Sequence, residues 1–316
     1  MTNNSDLPEK IRRSWLLTPA SNDDLIEAAR QSNADVVILD LVDFVPEKDK
    51  PSAREGLAGT IREAGESGAQ VFAQVDCELL YADLHACVWP ELTGIVIAHL
   101  ESVGQVEEAD ALLGQLEDER GIPPGTLEIV AALETAKANQ DAQRIASASS
   151  RISGLTLGRA ELVMDLRPEP SGEIHLMQYL MQRLIMVAGA AGLPAYGAWW
   201  RAPDRGLLAT PENTGEAAVR GRAIGFKGSF CVSENQVEPM NRGFTPSSQE
   251  VDAAKELLER YQAAVTEGAA SIRRENRIID AGAALQAQAI IDRASAFALH
   301  DQTKADAKDG RPVPAP

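Results

Sequence analysis

Short, continuous apolar runs recur along this chain at regular intervals. They are SWLLTP (14–19), ADVVILDLV (34–42), QVFAQV (70–75), LTGIVIA (92–98), LEIVAALE (127–134), ISGLTLG (152–158), LPAYGAWW (193–200) and GFKGSFCVS (225–233). Stretches of helical pattern separate them, at 22–32, 51–66, 78–88, 102–120, 135–149, 173–191 and 212–224, and 247–267 follows the eighth run. The runs do not alternate apolar with polar, which is the pattern of strands buried on both faces of a parallel sheet. Cap residues stand where helices should begin, as in Ser21-Asn22-Asp23-Asp24 before LIEAAR and Ser247-Ser248 before QEVDAAKELLERY. Eight βα units in a chain of this length predict an α/β fold, the (β/α)8 TIM barrel. A doubly wound open sheet is the alternative, but no G-x-G-x-x-G follows the first run and no G-x-x-x-x-G-K-[ST] occurs anywhere.

The pattern changes near residue 268. The barrel is expected over 12–245, with C-terminal helices and a lid segment over 246–299. Within that extension a loop leads into an Ala-rich helix at 281–299. The polar, Pro-rich stretch 300–316 is expected to be a disordered tail.

Composition narrows the function. With 30 basic against 47 acidic side chains in 316 residues the net charge is −17. A nucleic-acid partner needs a basic face, and an anionic membrane surface attracts basic segments, so neither is expected. Aromatic residues make up only 4%, so Ala, Leu, Ile and Val must build the core. No apolar run approaches the roughly 18 residues of a membrane span, and MTNNSDLPEKIRRSW lacks the apolar centre of a secretory leader. Cys77, Cys87 and Cys231 show no C-x-x-C spacing, which fits a reduced cytoplasmic protein. Cys77, His85, Cys87 and His99 have the wrong spacing for a zinc cluster.

In a parallel barrel the chemistry sits at the C-terminal ends of the strands. Those ends carry acids in succession: Asp40 and Asp43 after the second run, Asp76 after the third, Glu101 after the fourth, Glu134 at the fifth and Glu161 after the sixth. Glu134 closes an apolar run, where a charge is costly unless paired or bound to metal. Glu134 and Glu161, on adjacent strands with no His or Cys nearby, suit a hard divalent cation such as Mg²⁺ (or Mn²⁺), which takes one or two carboxylates and leaves other positions to water and substrate. The alternatives are a loop cap for Asp40 and a first-turn helix acid for Glu161. Arg159 and His99 either line the pocket or belong to ordinary surface.

Several of these stretches also resemble the citrate lyase β-subunit and malyl-CoA lyase group of the HpcH/HpaI aldolase/citrate lyase family. They are RRSWLLTPASNDDLIEAA, ADVVILDLVDFVPEKDKPSAR, LTGIVIAHLES, ALETAKANQDAQRIASAS, GLTLGRAELVMDL, RGRAIGFKGSFCVSENQVEPMNRGFTPSSQEV and RIIDAGAALQAQAII, spanning about 12–298. The resemblance implies a barrel lyase holding Mg²⁺ on Glu134 and on Glu161, the latter a Glu where the family usually has Asp. The metal would chelate a 2-keto acid or hydroxyacyl group and stabilise an enolate. It also implies a catalytic acid/base at Asp280 in RIIDAG, acting in a neighbouring subunit's site. That requires a homo-oligomer, a trimer or a multiple of one, with the 281–299 helix as a packing surface. A thioester of CoA or of an acyl carrier is the implied partner, together with a small 2-keto or hydroxy acid. Arg13, Lys50 and Arg54 stand where the family meets the thioester, and Arg273 or Arg274 could meet CoA phosphates.

The departures from the family lie in the pocket. Gln74 stands where an Arg usually grips the substrate carboxylate, a loss of about 1.5–3 kcal/mol for a bond to a charged group. L-E-D has become Leu41-Val42-Asp43, and P-K has become Ala98-His99. The Asp of A-I-D-T is Gly197, shortly before Trp199 and Trp200, and I-H-P-x-Q has become Val232-Ser233-Glu234-Asn235-Gln236. Arg159 could supply the charge that Gln74 lacks, with Asp40 and Asp43 as the remaining catalytic candidates. The expected function is a Mg²⁺-dependent carbon–carbon lyase or aldolase on a malyl-, citramalyl- or citryl-CoA-like substrate. The alternatives are an altered or inactive homologue that binds a thioester or other metabolite, and a malate-synthase-like or thioesterase-like activity.

Overall fold

The computed structural model describes residues 10–166, 173–201, 209–274, 277–309 and 311, with backbone alone at 159–160, 173–176, 274 and 277. Contacts divide the chain into two units, Arg12–Phe244 and the remainder from Thr245 onward together with the residues before Arg12.

In the first unit eight strands alternate with helices. The strands are β1 (Ser14–Pro19), β2 (Val36–Asp40), β3 (Gln70–Asp76), β4 (Gly94–Ala98), β5 (Glu128–Leu133), β6 (Ile152–Leu157), β7 (Ala195–Tyr196) and β8 (Ser229–Cys231). The helices are α1 (Asp23–Gln31), α2 (Lys50–Gly65), α3 (Leu80–Cys87), α4 (Val103–Arg120), α5 (Ala136–Gln140), α6 (Ala142–Ala146), α7 (Arg159–Leu166), α8 (Glu173–Ala191), α9 (Pro211–Ile224) and α10 (Val237–Phe244). All strand pairs are parallel, in the order β7-β6-β5-β4-β3-β2-β1-β8. A parallel bridge between Tyr196 and Gly228 links the two ends of the sheet and brings it round as a nearly closed (β/α)8 barrel. Glycine is required at that seam, because a Cβ on Gly228 would lie 1.9 Å from the Arg12 carbonyl oxygen.

Successive residues of each strand serve different layers. Val36 and Ile38 point into the barrel with Trp15, Phe72 and Val130, whereas Val37 and Leu39 join Leu57, Ile61 and Leu84 between strands and helices. Trp15 fills the interior, with ring centroids 4.9 Å from Phe72 and 4.6 Å from Tyr196. At the N-terminal ends of the strands Arg12 forks onto Glu128 at 2.7 and 2.8 Å and reaches Gln70 at 2.7 Å. Buried ion pairs thus close the end of the barrel opposite Asp43, Glu134 and Glu161.

The expected caps form. Asn22 accepts from the Leu25 N–H and Ser247 shares a capping box with Glu250. The helix expected over 135–149 is instead two short ones, interrupted at Asp141, while α7 and α10 add helices that hydrophobic periodicity did not announce.

The second unit contains α11 (Ser248–Thr266), an antiparallel hairpin of β9 (Ile272–Arg274) with β10 (Arg277–Ile279), and α12 (Ala281–Lys308). Two expectations are corrected there. The loop before the last helix contains the hairpin, and the helix expected to end at 299 runs through part of the expected disordered tail, to Lys308. The run DQTKADAK contains no Gly or Pro, and its Gln302–Asp306 pair, four residues apart, bonds at 3.0 Å. Among the described residues no helix is long and apolar enough to cross a membrane.

Candidate active site

The loop after β2 is shaped by Asp40. Its carboxylate is fully buried and accepts the N–H groups of Val42 (2.9 Å), Asp43 (3.3 Å) and Phe44 (2.6 Å). Burial pushes its pKa up while those N–H bonds pull it back, leaving it raised. Asp40 therefore caps its own loop by accepting these N–H groups. The loop carries Asp43 to the C-terminal mouth of the barrel, where its Oδ2 accepts from Gln74 Nε2 at 2.8 Å. Gln74 lies on β3 opposite Asp40 on β2.

Glu134 immediately follows β5 and is only 6% exposed. Its Oε2 accepts the backbone N–H of His99 at 2.7 Å. His99 can aim that N–H because its φ is 55°, the one positive φ at a non-glycine among the described residues. The space for the Glu134 side chain comes from Gly158, just beyond β6, where a Cβ would lie 2.1 Å from Glu134 Cγ and 2.6 Å from Oε1. Burial pushes the Glu134 carboxyl up to about 7; the His99 N–H pulls it down and the charge of Glu161 pushes it up further. Glu161 stands in the first turn of α7. The His99 imidazole lies 3.3 Å from Asp76, and although burial works against its charge, that partner leaves its pKa raised.

Asp43, Gln74, Glu134 and Glu161 all border one cavity of about 540 Å³ at the C-terminal ends of the strands. Of the sequence-derived candidates the structure brings these four together. Among the described residues no Lys or Arg lines the cavity. The side chain of Arg159 lies outside the described residues, as does that of Arg274, while Arg273 is exposed. Asp280 belongs to the second unit, where its side chain caps α12 by accepting from the Ala283 N–H at 3.0 Å.

The expectation that Arg13 meets the thioester is corrected. Arg13 precedes β1, at the end of the barrel opposite the cavity, and is 2% exposed. Its backbone N–H and guanidinium bind Asp35 at 2.8–3.0 Å. Lys50 and Arg54 begin α2 on the correct end, but both are engaged: Lys50 pairs with Glu47 at 2.5 Å and Arg54 with the fully buried Asp83 at 2.7 Å.

Gln236, expected at the pocket from the rewritten stretch near the eighth strand, does line the cavity; sequence reasoning missed Thr156, Tyr196 and Ser229, which add further polar atoms, and Met177 and Met181, which add an apolar wall from α8. Thr156 and Tyr196 could have been found from the inward alternation along β6 and β7. The two methionines carry no signal that separates a cavity wall from ordinary core.

A parallel (β/α)8 barrel with a cavity bordered by Asp43, Glu134 and Glu161 at its C-terminal mouth has the architecture of the barrel enzymes, whose sites lie at that end. The chain belongs to the HpcH/HpaI aldolase/citrate lyase family, whose model matches residues 13–233. The citrate lyase subunit beta of Haemophilus influenzae is 27% identical over 290 residues, 90% of this chain and 97% of that protein. The L-malyl-CoA/beta-methylmalyl-CoA lyase of Rhodobacter capsulatus is 24% identical over 314 residues, covering 91% and 96%. The crystal structure of CitE from Mycobacterium tuberculosis, in complex with magnesium, acetoacetate and coenzyme A, shares the fold at a TM-score of 0.68 and 22% identity, over 90% of this chain and 98% of that one.

Proposed function

We propose that this chain is a Mg²⁺-dependent carbon–carbon lyase acting on a hydroxyacyl thioester of CoA, of the malyl, citramalyl or citryl kind. The observation that carries the reading is the Glu134–Glu161 pair. Glu134 is buried, held by one N–H and given room by a glycine, and its carboxyl is pushed up first by that burial and then by the charge of Glu161. Two carboxylates that border one cavity and repel each other suit a hard divalent cation, which needs one or two protein carboxylates. Glu134 and Glu161 would hold Mg²⁺ (Mn²⁺ being the substitute). The ion would polarise the oxygens of the 2-keto or hydroxy acid.

This chain's own residues supply the rest. His99 fixes the Glu134 carboxylate through its N–H, and Asp40 fixes the loop that presents Asp43. Asp43 Oδ2 is oriented by Gln74, so its carboxylate is placed to take the substrate hydroxyl proton as the carbon–carbon bond breaks. The thioester fragment then needs a proton, for which Asp280 of a neighbouring copy is the assigned donor, in a homo-oligomer that is a trimer or a multiple of one. Lys50 and Arg54, after exchanging their present partners, are the proposed contacts for the CoA or carrier end of the thioester, and Arg159, whose side chain lies outside the described residues, the proposed cation for the substrate carboxylate.

Two measurements test this. Calorimetric titration should show Mg²⁺ or Mn²⁺ binding at millimolar metal, and no binding would end the metal reading. Cleavage of malyl-, citramalyl- or citryl-CoA should occur and be abolished by Glu134→Ala. A second reading, thioester binding without cleavage, is favoured by Gln74, whose amide is turned to Asp43 where a substrate-gripping Arg would stand. Metal and CoA binding with no cleavage of the three thioesters would support it.

A further inference from the structure

Below its carboxylates the cavity continues into the barrel, and there its walls are mainly apolar, with Thr156 and Ser229 among them. The interior of an eight-stranded parallel barrel is ordinarily filled by layers of side chains. Here the uppermost layer leaves space beside Ala132 of β5 and Thr156 of β6, with Leu17, Val96 and Leu157 around it and the Phe226 ring packed against Gly197. Tyr196 and Phe230 line the opening from below, both packed on the buried Trp15 ring at 4.6 and 5.6 Å. Met177 and Met181, four residues apart on one face of α8, form a side wall, and Phe226 and Trp200 add aromatic surface. Methionine walls adapt readily to irregular apolar shapes.

The size of the cavity is informative. About 540 Å³ lies in the range of pockets that enclose a drug-sized ligand, about 300–1,000 Å³. The half of a malyl-type substrate that carries the hydroxyl would leave most of that volume empty. The nucleotide and pantetheine arm of a CoA thioester are too large to be enclosed, so the thioester half must lead out through the mouth. The other half, which leaves as the 2-oxo acid, is the one that faces the interior.

We propose that this site prefers, over the malyl, citramalyl and citryl thioesters, a thioester of the same type whose 2-oxo acid half carries an apolar side chain larger than methyl, branched or aromatic, seated among Met177, Met181, Phe226 and Phe230. The inference rests on the reading of Glu134 and Glu161 as the metal site, which anchors the oxo-acid end and leaves the side chain to point inward. It explains why the pocket that has Gln74 in place of a cation also has an apolar chamber: the group recognised there is one that needs no counter-charge.

The test is calorimetric binding to the full chain in saturating Mg²⁺, with glyoxylate, pyruvate, oxaloacetate, 4-methyl-2-oxopentanoate and phenylpyruvate as probes. Each methylene buried is worth about fourfold in affinity. The branched and aromatic acids should therefore bind at least tenfold more tightly than pyruvate or oxaloacetate. Met181→Gln, which keeps the volume but makes the wall polar, should weaken 4-methyl-2-oxopentanoate and leave pyruvate unchanged. Oxaloacetate or glyoxylate binding as tightly as 4-methyl-2-oxopentanoate would overturn this proposal while leaving the metal site intact. Metal binding without affinity for any of the five would overturn this proposal too, and absence of metal binding would overturn both.

Discussion

Replacing Glu134 by Gln should change how stability depends on pH. In the folded chain this carboxyl titrates at about 7 against an ordinary 4.5, because burial and the charge of Glu161 disfavour the anion. A raised pKa means that the folded state holds the proton more tightly than the unfolded one. The metal-free protein is therefore favoured at low pH and loses that contribution as pH rises through the folded value. At about 1.4 kcal/mol per pH unit, most of the interval from 4.5 to about 7 is crossed between pH 5 and 8, a loss of about 2–3 kcal/mol. The amide of the Glu134→Gln variant has no proton to release and still offers an oxygen to the His99 N–H, so the variant should lack this slope. Urea unfolding in EDTA at pH 5 and pH 8 reads the difference, and all four tryptophans report on the barrel unit. The variant should gain about 2–3 kcal/mol on wild type across that span. Mg²⁺ should stabilise wild type more at pH 8 than at pH 5, because the metal must displace the proton. Parallel pH profiles for wild type and variant without metal would refute the assignment of a buried, charge-repelled carboxyl.

The cradle at Gly158 can be tested separately: Gly158→Ala places a Cβ 2.1 Å from Glu134 Cγ, so calorimetry should show Mg²⁺ affinity reduced at least tenfold, at a stability cost of about 1–3 kcal/mol. Asp35→Ala removes the carboxylate that answers the buried Arg13 guanidinium and should cost about 3–5 kcal/mol in urea unfolding, while calorimetric ligand binding at the cavity stays unchanged because the pair lies at the opposite end of the barrel. Gln74→Arg places a cation beside Asp43 and should raise affinity for oxaloacetate by about tenfold in Mg²⁺, within the range of a hydrogen bond to a charged group; unchanged binding by titration would mean that this position does not face the substrate.

The barrel is legible because its strands are buried on both faces and so read as uninterrupted apolar runs. The expected 14–19 is β1 residue for residue, and 152–158 differs from β6 by one. Legibility fades at β7 and β8, where the runs 193–200 and 225–233 contain only short ladders. There the interior is crowded by aromatic rings rather than filled by aliphatic side chains, and glycines at 197 and 228 let Phe226 and the Arg12 carbonyl approach. The hairpin at 272–279 is illegible for a different reason: IRRENRII carries too little apolar alternation to announce two strands. The end of α12 escapes because its polarity resembles that of a disordered tail, although polar helix formers without Gly or Pro sustain a helix.

At the site, what can be read is charge in an apolar context. Glu134 ends a run of buried residues, and such a position constrains its chemistry wherever the side chain points. Arg13 shows the limit of the same logic. It too adjoins a buried strand, but at the end where strands begin, so its charge is answered by Asp35 rather than by a ligand. Two residues of similar context thus serve opposite ends of one barrel, and strand direction decides between them. His99 marks a second limit. Its backbone N–H, set by a φ of 55°, holds Glu134, and no side-chain identity encodes that role. The methionine wall marks a third, since Met177 and Met181 differ from core methionines only in facing a space that other strands leave empty. The acids are readable one residue at a time, whereas the cavity beside them takes its shape from several strands and α8 together, with Ala132 on β5 and Thr156 on β6 leaving room that no single position announces.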